Sequence, residues 1–473
     1  MNIKKIAGDS AVALLSQGIG MLLSIFTSLL VPKLLGVESY GYWQLFIFYS
    51  SYVGLFHFGL CDGVYLREGG CPRDKLDKRK VNSIFWCGIV YQLAFVVIAT
   101  TFLLSNKNSS DRVIVLLFTA VVLIISNAYS FFGYLFQAIN ETRIFSYSVI
   151  IDRVSYIIPV LGLIIAKNAN FAYYILSYIF ARSIALLFCI VKGWDILTSG
   201  FISIRQTFRE TFDCIRVGCK LLFATLASML ILGVARFAID SRWGIETFGK
   251  VSFALSLVTF IMQFLMQVSM VLFPALRQAN SSERKKAYIS ISGILDTISP
   301  FVYVMYFPVM FVISSWLPQY KESMLYFALL LPICVFDGKM DMCCTTFFKV
   351  LRQEKKLLCI NVMTLIISSV LTFISAWVFG SLYCVLIGMV SAVFLRNLFS
   401  EYMLNKDFEV KFGLTYFVCV LMSGLFILFA YLFETVIAFS LYIGALVVYA
   451  YFQRTSLCKL STGVKRIMVG DKD

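Results

Sequence analysis

Apolar windows of 17 to 27 residues, each long enough to cross roughly 30 Å of hydrocarbon as a helix, recur from residue 10 to residue 452 and leave room for little else. Fourteen can be placed, at 10–34, 40–66, 83–104, 113–138, 148–166, 171–192, 218–240, 247–273, 289–314, 324–347, 357–379, 382–404, 414–433 and 436–452. Inside a bilayer no water satisfies the backbone, so such windows are restricted to α-helices, whose hydrogen bonds are internal. The expected fold is an all-α polytopic membrane protein of about 14 transmembrane helices. The last two windows share one apolar run that is too long for a single helix, and Phe433-Glu434-Thr435 divides them. Composition excludes the soluble alternative: 14% of residues are charged, against roughly 25% in proteins whose surface meets water.

Lys and Arg counting sets the orientation. With the N-terminus inside, 29 of the 41 basic residues fall on inside segments, 6 on outside segments, and 6 (Arg153, Arg182, Arg236, Lys250, Lys339, Arg396) within spans. Both termini are therefore expected in the cytoplasm. The net charge of +15 comes as short tethers on one face and forms no continuous patch, which excludes nucleic acid as a partner. The outside segments are too short to hold a domain. MNIKK and the run behind it imitate a signal peptide, but the run from Ser10 to Leu35 is too long for one and reads as an uncleaved first helix. Most of the 13 cysteines lie in apolar runs without a CxxC, so they read as small core residues.

The sequence also repeats. Gly36-Val37-Glu38-Ser39-Tyr40-Gly41 aligns with Gly244-Ile245-Glu246-Thr247-Phe248-Gly249 at an offset of 208, and that offset superposes spans 1 to 6 on spans 7 to 12. The expected organisation is an N-terminal six-helix lobe (1–192), a cytoplasmic amphipathic linker (193–217), a second six-helix lobe (218–404), and helices 13 and 14 with a basic cytoplasmic tail (405–473). In the linker, Phe201, Ile204, Phe208 and Phe212 recur at helical spacing with Arg205, Arg209 and Arg216 between them, as in an interfacial helix. Repeats with an even number of spans enter from the same side, so an axis along the membrane normal should relate them, with a cavity between the two bundles.

Pro32-Lys33-Leu34-Leu35-Gly36-Val37-Glu38-Ser39-Tyr40-Gly41-Tyr42 at the end of the first span, the basic loop after the second, the duplicated six-helix unit and two extra helices together resemble the polysaccharide-export flippases (Wzx type, serving O-antigen and related glycans) of the multidrug/oligosaccharidyl-lipid/polysaccharide superfamily. The resemblance covers essentially the whole chain. It implies a flippase in the bacterial inner membrane, moving undecaprenyl-pyrophosphate-linked oligosaccharides to the outer leaflet through a cavity between two lobes that open alternately. In the related peptidoglycan-precursor flippases, helices 1, 2, 7 and 8 line the cavity, and helices 13 and 14 form a groove for the lipid tail.

The same four helices carry polar stripes when read residue by residue. Span 8 places Ser252, Ser256, Thr259, Gln263 and Gln267 on one face; span 2 places Ser50, Gly54, His57 and Cys61; span 1 offers Gln17, Gly20, Ser24 and Ser28; span 7 offers Thr225, Ser228 and Arg236. Such groups can pair with sugar hydroxyls, although small polar residues also serve helix packing. His57 is either a ligand or a packing histidine. Charges within spans are costly and mark functional candidates: Arg236, Arg182 and Lys339 for the pyrophosphate; Asp337, Asp341 and Asp296 for a coupling Na+ or H+. Arg236 and Asp240 stand i, i+4 and can neutralise one another. Asp337-Gly338-Lys339-Met340-Asp341 sets two carboxylates on one face with the lysine opposite, and a buried salt-bridge network is its plainer reading. Asp152 and Arg153 fall near the inner end of span 5, at the interface.

Gly244 to Lys250 spells GxxxxGK, but Val251 stands where a nucleotide loop needs Ser or Thr for magnesium, and the segment is an outer turn. No cofactor is expected, nor any covalent chemistry. The sequence reading is a lipid-linked oligosaccharide flippase, not an enzyme, working beside other polysaccharide-assembly membrane proteins. The alternatives are a cation-coupled drug exporter of the same superfamily and a membrane-embedded polymerase or ligase, which would need a larger outside loop.

Overall fold

The computed structural model describes residue 18 and residues 29–105, 109–278 and 280–454, without the side chains of 102–105, 264–275 and 277–278. Among the described residues there are helices and no strand. They are α1 Val31–Ser51, α2 Leu60–Glu68, α3 Lys78–Ser105, α4 Ser110–Ala138, α5 Thr142–Ile165, α6 Phe171–Lys192 and α7 Ile204–Gln278. After these come α8 Ser281–Trp316, α9 Ser323–Val350, α10 Glu354–Val378, α11 Leu382–Phe408, α12 Leu414–Leu432 and α13 Thr435–Phe452. Eleven are long and apolar enough to cross a membrane, and twelve if the bent pair α1–α2 is one span. The expected fourteen needs two further things: the first span, most of which lies outside the described residues, and the division of α7 in two. At 1.5 Å per residue the 75 residues of α7 would extend about 110 Å, several bilayer thicknesses.

A break inside α7 falls at Gly244 (φ 78°, ψ −175°), and one inside α1 at Gly36 (φ 72°, ψ 179°). Only glycine enters this backbone region readily. A Cβ at either position would meet nothing within 4 Å, so the dihedrals and not the space demand glycine. These are the two glycines aligned by the 208-residue offset, and they share one backbone conformation.

The chain forms two compact units, Met1–Leu226 and Ala227–Asp473, with the division inside α7. In the first unit α4 is central and packs on α1, α2, α3, α5 and α6. The span begun by α1 does not run straight: a 3-10 turn Val53–His57 and left-handed Phe58 and Gly59 precede α2, with a bend of 55°. Such a break strands carbonyls at membrane depth, where each needs a donor. Asn127 of α4 donates its amide to Val53 O (3.0 Å) and to Gln92 Oε1 (3.0 Å), and the Tyr91 hydroxyl donates to His57 O (3.0 Å). Replacing Asn127 by leucine leaves Val53 O without its donor in an apolar setting. The purified protein should lose about 2–3 kcal/mol of stability in denaturant unfolding. A loss near zero would show that this amide does not hold the break.

Beyond the break, α2 presses backbone to backbone on the first part of α7: a Cβ on Gly63 would lie 2.0 Å from Cys214 O, and one on Gly218 2.0 Å from Gly59 O. Small residues permit that approach. The amphipathic stretch expected to end at 217 is in fact continuous with the helix that follows, as the opening turns of α7. Its Thr211 and Cys214 are buried, while Ile204, Phe208 and Phe212 stay exposed, together with Phe201 just before the helix.

In the second unit α9 is the core helix, with 89% of its most apolar window buried, against 17% to 44% for the other candidate spans. It is also the least apolar of them, because a helix surrounded by protein need not present apolar groups to lipid. α8 contains Pro300, which cannot donate to the carbonyl four residues back. The Tyr449 hydroxyl of α13 lies 3.3 Å from that carbonyl, on Asp296, and 3.1 Å from Thr297 O, and Tyr442 donates to Pro300 O at 2.8 Å. The proline thus supplies the acceptors that fasten α13 to α8.

Candidate functional site

In the first unit the midpoint of α6 carries Arg182 and the midpoint of α5 carries Asp152. Asp152, expected near the inner end of its span, stands nearly three turns into the helix, because α5 starts at Thr142, six residues before the expected span. Arg182 Nη1 lies 3.4 Å from Asp152 Oδ2, and Nη2 donates to the Tyr178 hydroxyl at 3.2 Å. Its guanidinium stands over the Tyr129 ring, 4.7 Å from the centroid. The two side chains are 19% and 20% exposed and Arg182 Nε has no partner. The guanidinium is therefore oriented by aromatic faces and a single loose ion pair, with donor capacity left over. The nearby Tyr156 hydroxyl and the Ser50 and Ser126 hydroxyls are also buried without partners.

His57 sits in the break of the same unit. It is buried, and its Nδ1 accepts a hydrogen bond from Gly59 N at 3.0 Å. Cys61, next on that stripe, lies against Asn127 O. Thr225 is exposed, with its hydroxyl donating to Leu221 O at 3.2 Å. Gln17 and Ser24 lie outside the described residues, as does the side chain of Gln267.

On the Lys- and Arg-rich loops of this unit, Arg73 bridges three segments. It reaches Glu141 at 2.7 Å, Asp195 at 2.5 Å and Lys192 O at 2.6 Å, and Lys78 also reaches Asp195. The hydrogen bond from Arg73, with help from Lys78, pulls the Asp195 carboxyl down to about 2. The clasp therefore stays ionised at physiological pH.

In the second unit Arg236 donates from Nη2 to Ser252 Oγ at 3.1 Å and lies over the Phe248 ring at 5.2 Å. Asp240, one turn on, is buried. Ser256 and Thr259 lie beyond Ser252, and their hydroxyls donate to Phe253 O and Leu255 O of their own helix, which leaves their oxygens as acceptors. Gln263 is half-buried.

The motif around Asp337 is part of a larger network. Arg396 of α11 donates from Nη1 to Asp337 Oδ1 (2.9 Å), from Nε to Asn361 Oδ1 (2.9 Å) and from Nη2 to Ser228 Oγ (2.9 Å), joining α7, α9, α10 and α11. On the other side of α9 the Lys339 ammonium meets Asp296 Oδ1 of α8 at 2.5 Å and Glu401 Oε1 of α11, and faces the Tyr416 ring at 4.7 Å. Lys339 was expected to reach for pyrophosphate; it is 2% exposed and sequestered here. A π-helical turn, Met340–Thr345, follows it and holds Asp341, which is half-buried. Such a turn often marks a functional position. Sequence reasoning marked Asp296 as an ion-coupling candidate beside Asp337 and Asp341, but assigned nothing to Arg396 and missed Glu401. Both lie in span 12, and the signal for them was their charge within an apolar window.

Solved structures share the fold, three among them as follows. The lipid II flippase MurJ in an inward closed conformation matches with a TM-score of 0.64 at 12% identity, over 95% of this chain and 99% of that one. A multidrug resistance MATE family transporter of the MOP superfamily, inward-facing, matches with a TM-score of 0.62 at 13% identity, over 84% and 98%. A MOP superfamily transporter from Pyrococcus furiosus matches with a TM-score of 0.52 at 12% identity, over 85% and 94%. No curated protein sequence matches. The fold is that of the MOP transporters, and residues 6–280, more than half of the sequence, match one family throughout: the chain belongs to the polysaccharide biosynthesis protein family.

Proposed function

We propose that the protein flips undecaprenyl-pyrophosphate-linked oligosaccharide repeat units from the inner to the outer leaflet of the bacterial cytoplasmic membrane by alternating access, with both termini in the cytoplasm. The observation that carries this reading, within the polysaccharide biosynthesis protein family, is the guanidinium of Arg182, set at the midpoint of a span with donors to spare. A pyrophosphate offers the bidentate acceptors that arginine fits. Arg236 is assigned the same task in the second unit, and Thr225, Ser256, Thr259 and Gln263 are assigned to sugar hydroxyls. Lys339 and Arg396 hold Asp296 and Asp337, which argues against an exchangeable coupling ion at either carboxylate. The membrane potential is a sufficient drive: an anion of about two charges moving outward across roughly 150 mV, negative inside, gains on the order of 7 kcal/mol.

The test is mass spectrometry of lipids from cells lacking the protein. Accumulation of undecaprenyl-linked repeat units is expected, and would identify the glycan. A multidrug transporter shares this fold at a comparable score, so an unchanged lipid pool with heightened drug sensitivity would replace the flippase reading by an exporter.

A further inference from the structure

The Lys339 ammonium is enclosed in the way a protein encloses a bound metal cation. Carboxylate oxygens from two helices, Asp296 of α8 and Glu401 of α11, converge on one Nζ, and the face of Tyr416 from α12 closes a third side at 4.7 Å. The lysine, glutamate and aspartate side chains are 2%, 3% and 9% exposed. Hard oxygen donors and an aromatic face form a coordination shell suited to a monovalent cation. We infer that Lys339 is a covalently held counter-cation filling a monovalent-cation pocket walled by Asp296, Glu401 and Tyr416, and that shortening its side chain opens the pocket to Na+, K+ or a small ammonium ion.

The walls are fixed by contacts that do not involve the lysine. Tyr449 reaches the Asp296 carbonyl, and Asn397, one turn before Glu401, accepts from the Tyr416 hydroxyl at 3.3 Å. The pocket therefore survives loss of the ammonium. Its two carboxylates then stand without their cation in a region of low dielectric, a state relieved by a proton or by any cation that fits. The neighbouring Arg396 guanidinium does not relieve it, since it is committed to Asp337, Asn361 and Ser228. A tethered cation does not dissociate, so this pocket stays loaded throughout the transport cycle whatever the ions outside. The inference is independent of the transported substrate, and so is its test.

Unfolding midpoints of the full-length protein in detergent are measured in NaCl, KCl, methylammonium chloride and choline chloride at one ionic strength. The wild type should give the same midpoint in all four. Lys339→Ala should be lowest in choline, which is too large to enter, and should rise saturably by at least about 3 °C with each of the smaller cations. Adding Glu401→Gln should abolish that rise. Lys339→Gln, which leaves a neutral donor in place, should respond in the same direction and covers the case in which the alanine variant does not accumulate. Variants indifferent to the cation would reduce the cluster to a structural salt bridge, and a wild type that needs Na+ for its midpoint would place an exchangeable ion there. Accumulation of neither variant also overturns the inference, because cytoplasmic K+ would be on hand to fill the pocket.

Discussion

Replacing Arg182 with alanine should abolish glycan export while leaving protein abundance and membrane insertion close to wild type. Its guanidinium has one loose ion pair at 3.4 Å, one hydrogen bond to Tyr178 and an unpartnered Nε, a weaker hold than the three 2.9 Å hydrogen bonds of Arg396, so the folded unit depends on it less. A bound pyrophosphate would depend on it heavily. Two charge-assisted hydrogen bonds at about 1.5–3 kcal/mol each correspond to a fall of at least about 100-fold in flux. Arg182→Lys should retain part of the activity, because the charge remains and the fork does not. If the arginine serves only to neutralise Asp152, the double change Arg182→Ala with Asp152→Ala should restore export. Phosphate binding predicts no rescue. Surface glycan measured beside protein abundance separates the two, and wild-type export from the double variant would end the assignment.

Arg182 also shows what the sequence could and could not reveal. A single cation at the centre of an apolar window identifies itself, since the cost of burying it demands a reason. Its partner was obscured by a boundary: hydropathy dates α5 from residue 148, whereas the helix begins at Thr142, so Asp152 reads as a helix-end residue although it stands near the middle of the helix and meets Arg182. The apolar windows and the paired Gly36 and Gly244 were legible because length and glycine-only backbone are local properties. The kink between Val53 and Gly59 was not, because its stranded carbonyls are satisfied by Asn127 and Tyr91 from other helices. Hydropathy sees Asn127 merely as one polar residue in an apolar run. The partners of Lys339 were half legible. Asp296 was marked by its charge, but Glu401 lies close to the end of an apolar window, where a carboxylate usually reaches water, and only the packing of α8, α9 and α11 turns it inward. Gln17, Ser24 and the Gln267 side chain, three of the expected substrate ligands, lie outside the described residues.

Loss of Arg396 should be the most destabilising single change in the second unit. Its three donors hold Asp337, Asn361 and Ser228 at 2.9 Å each, and through them three other helices. Arg396→Ala strands the half-buried Asp337 carboxylate and removes the donors to two neutral oxygens. A buried pair broken on one side typically loses about 3–5 kcal/mol. Removing both charges at once is a different matter, since desolvation opposes the attraction of such a pair and apolar replacements of similar volume are often neutral or better. Arg396→Met with Asp337→Leu should therefore recover most of the stability lost by Arg396→Ala, measured by unfolding of the purified proteins. Stability and transport should then part company. If the network serves only to bind helices together, the apolar double variant will export as the wild type does. If its charges change partners as the unit moves between its open states, the variant will fold well and export poorly, because an apolar contact offers no second arrangement of comparable energy. We expect the second outcome: the guanidinium already divides its donors among α7, α9 and α10, so a shift of one helix can exchange one acceptor for another while the charge stays paired. Normal export by a well-folded double variant would show instead that the network is scaffolding.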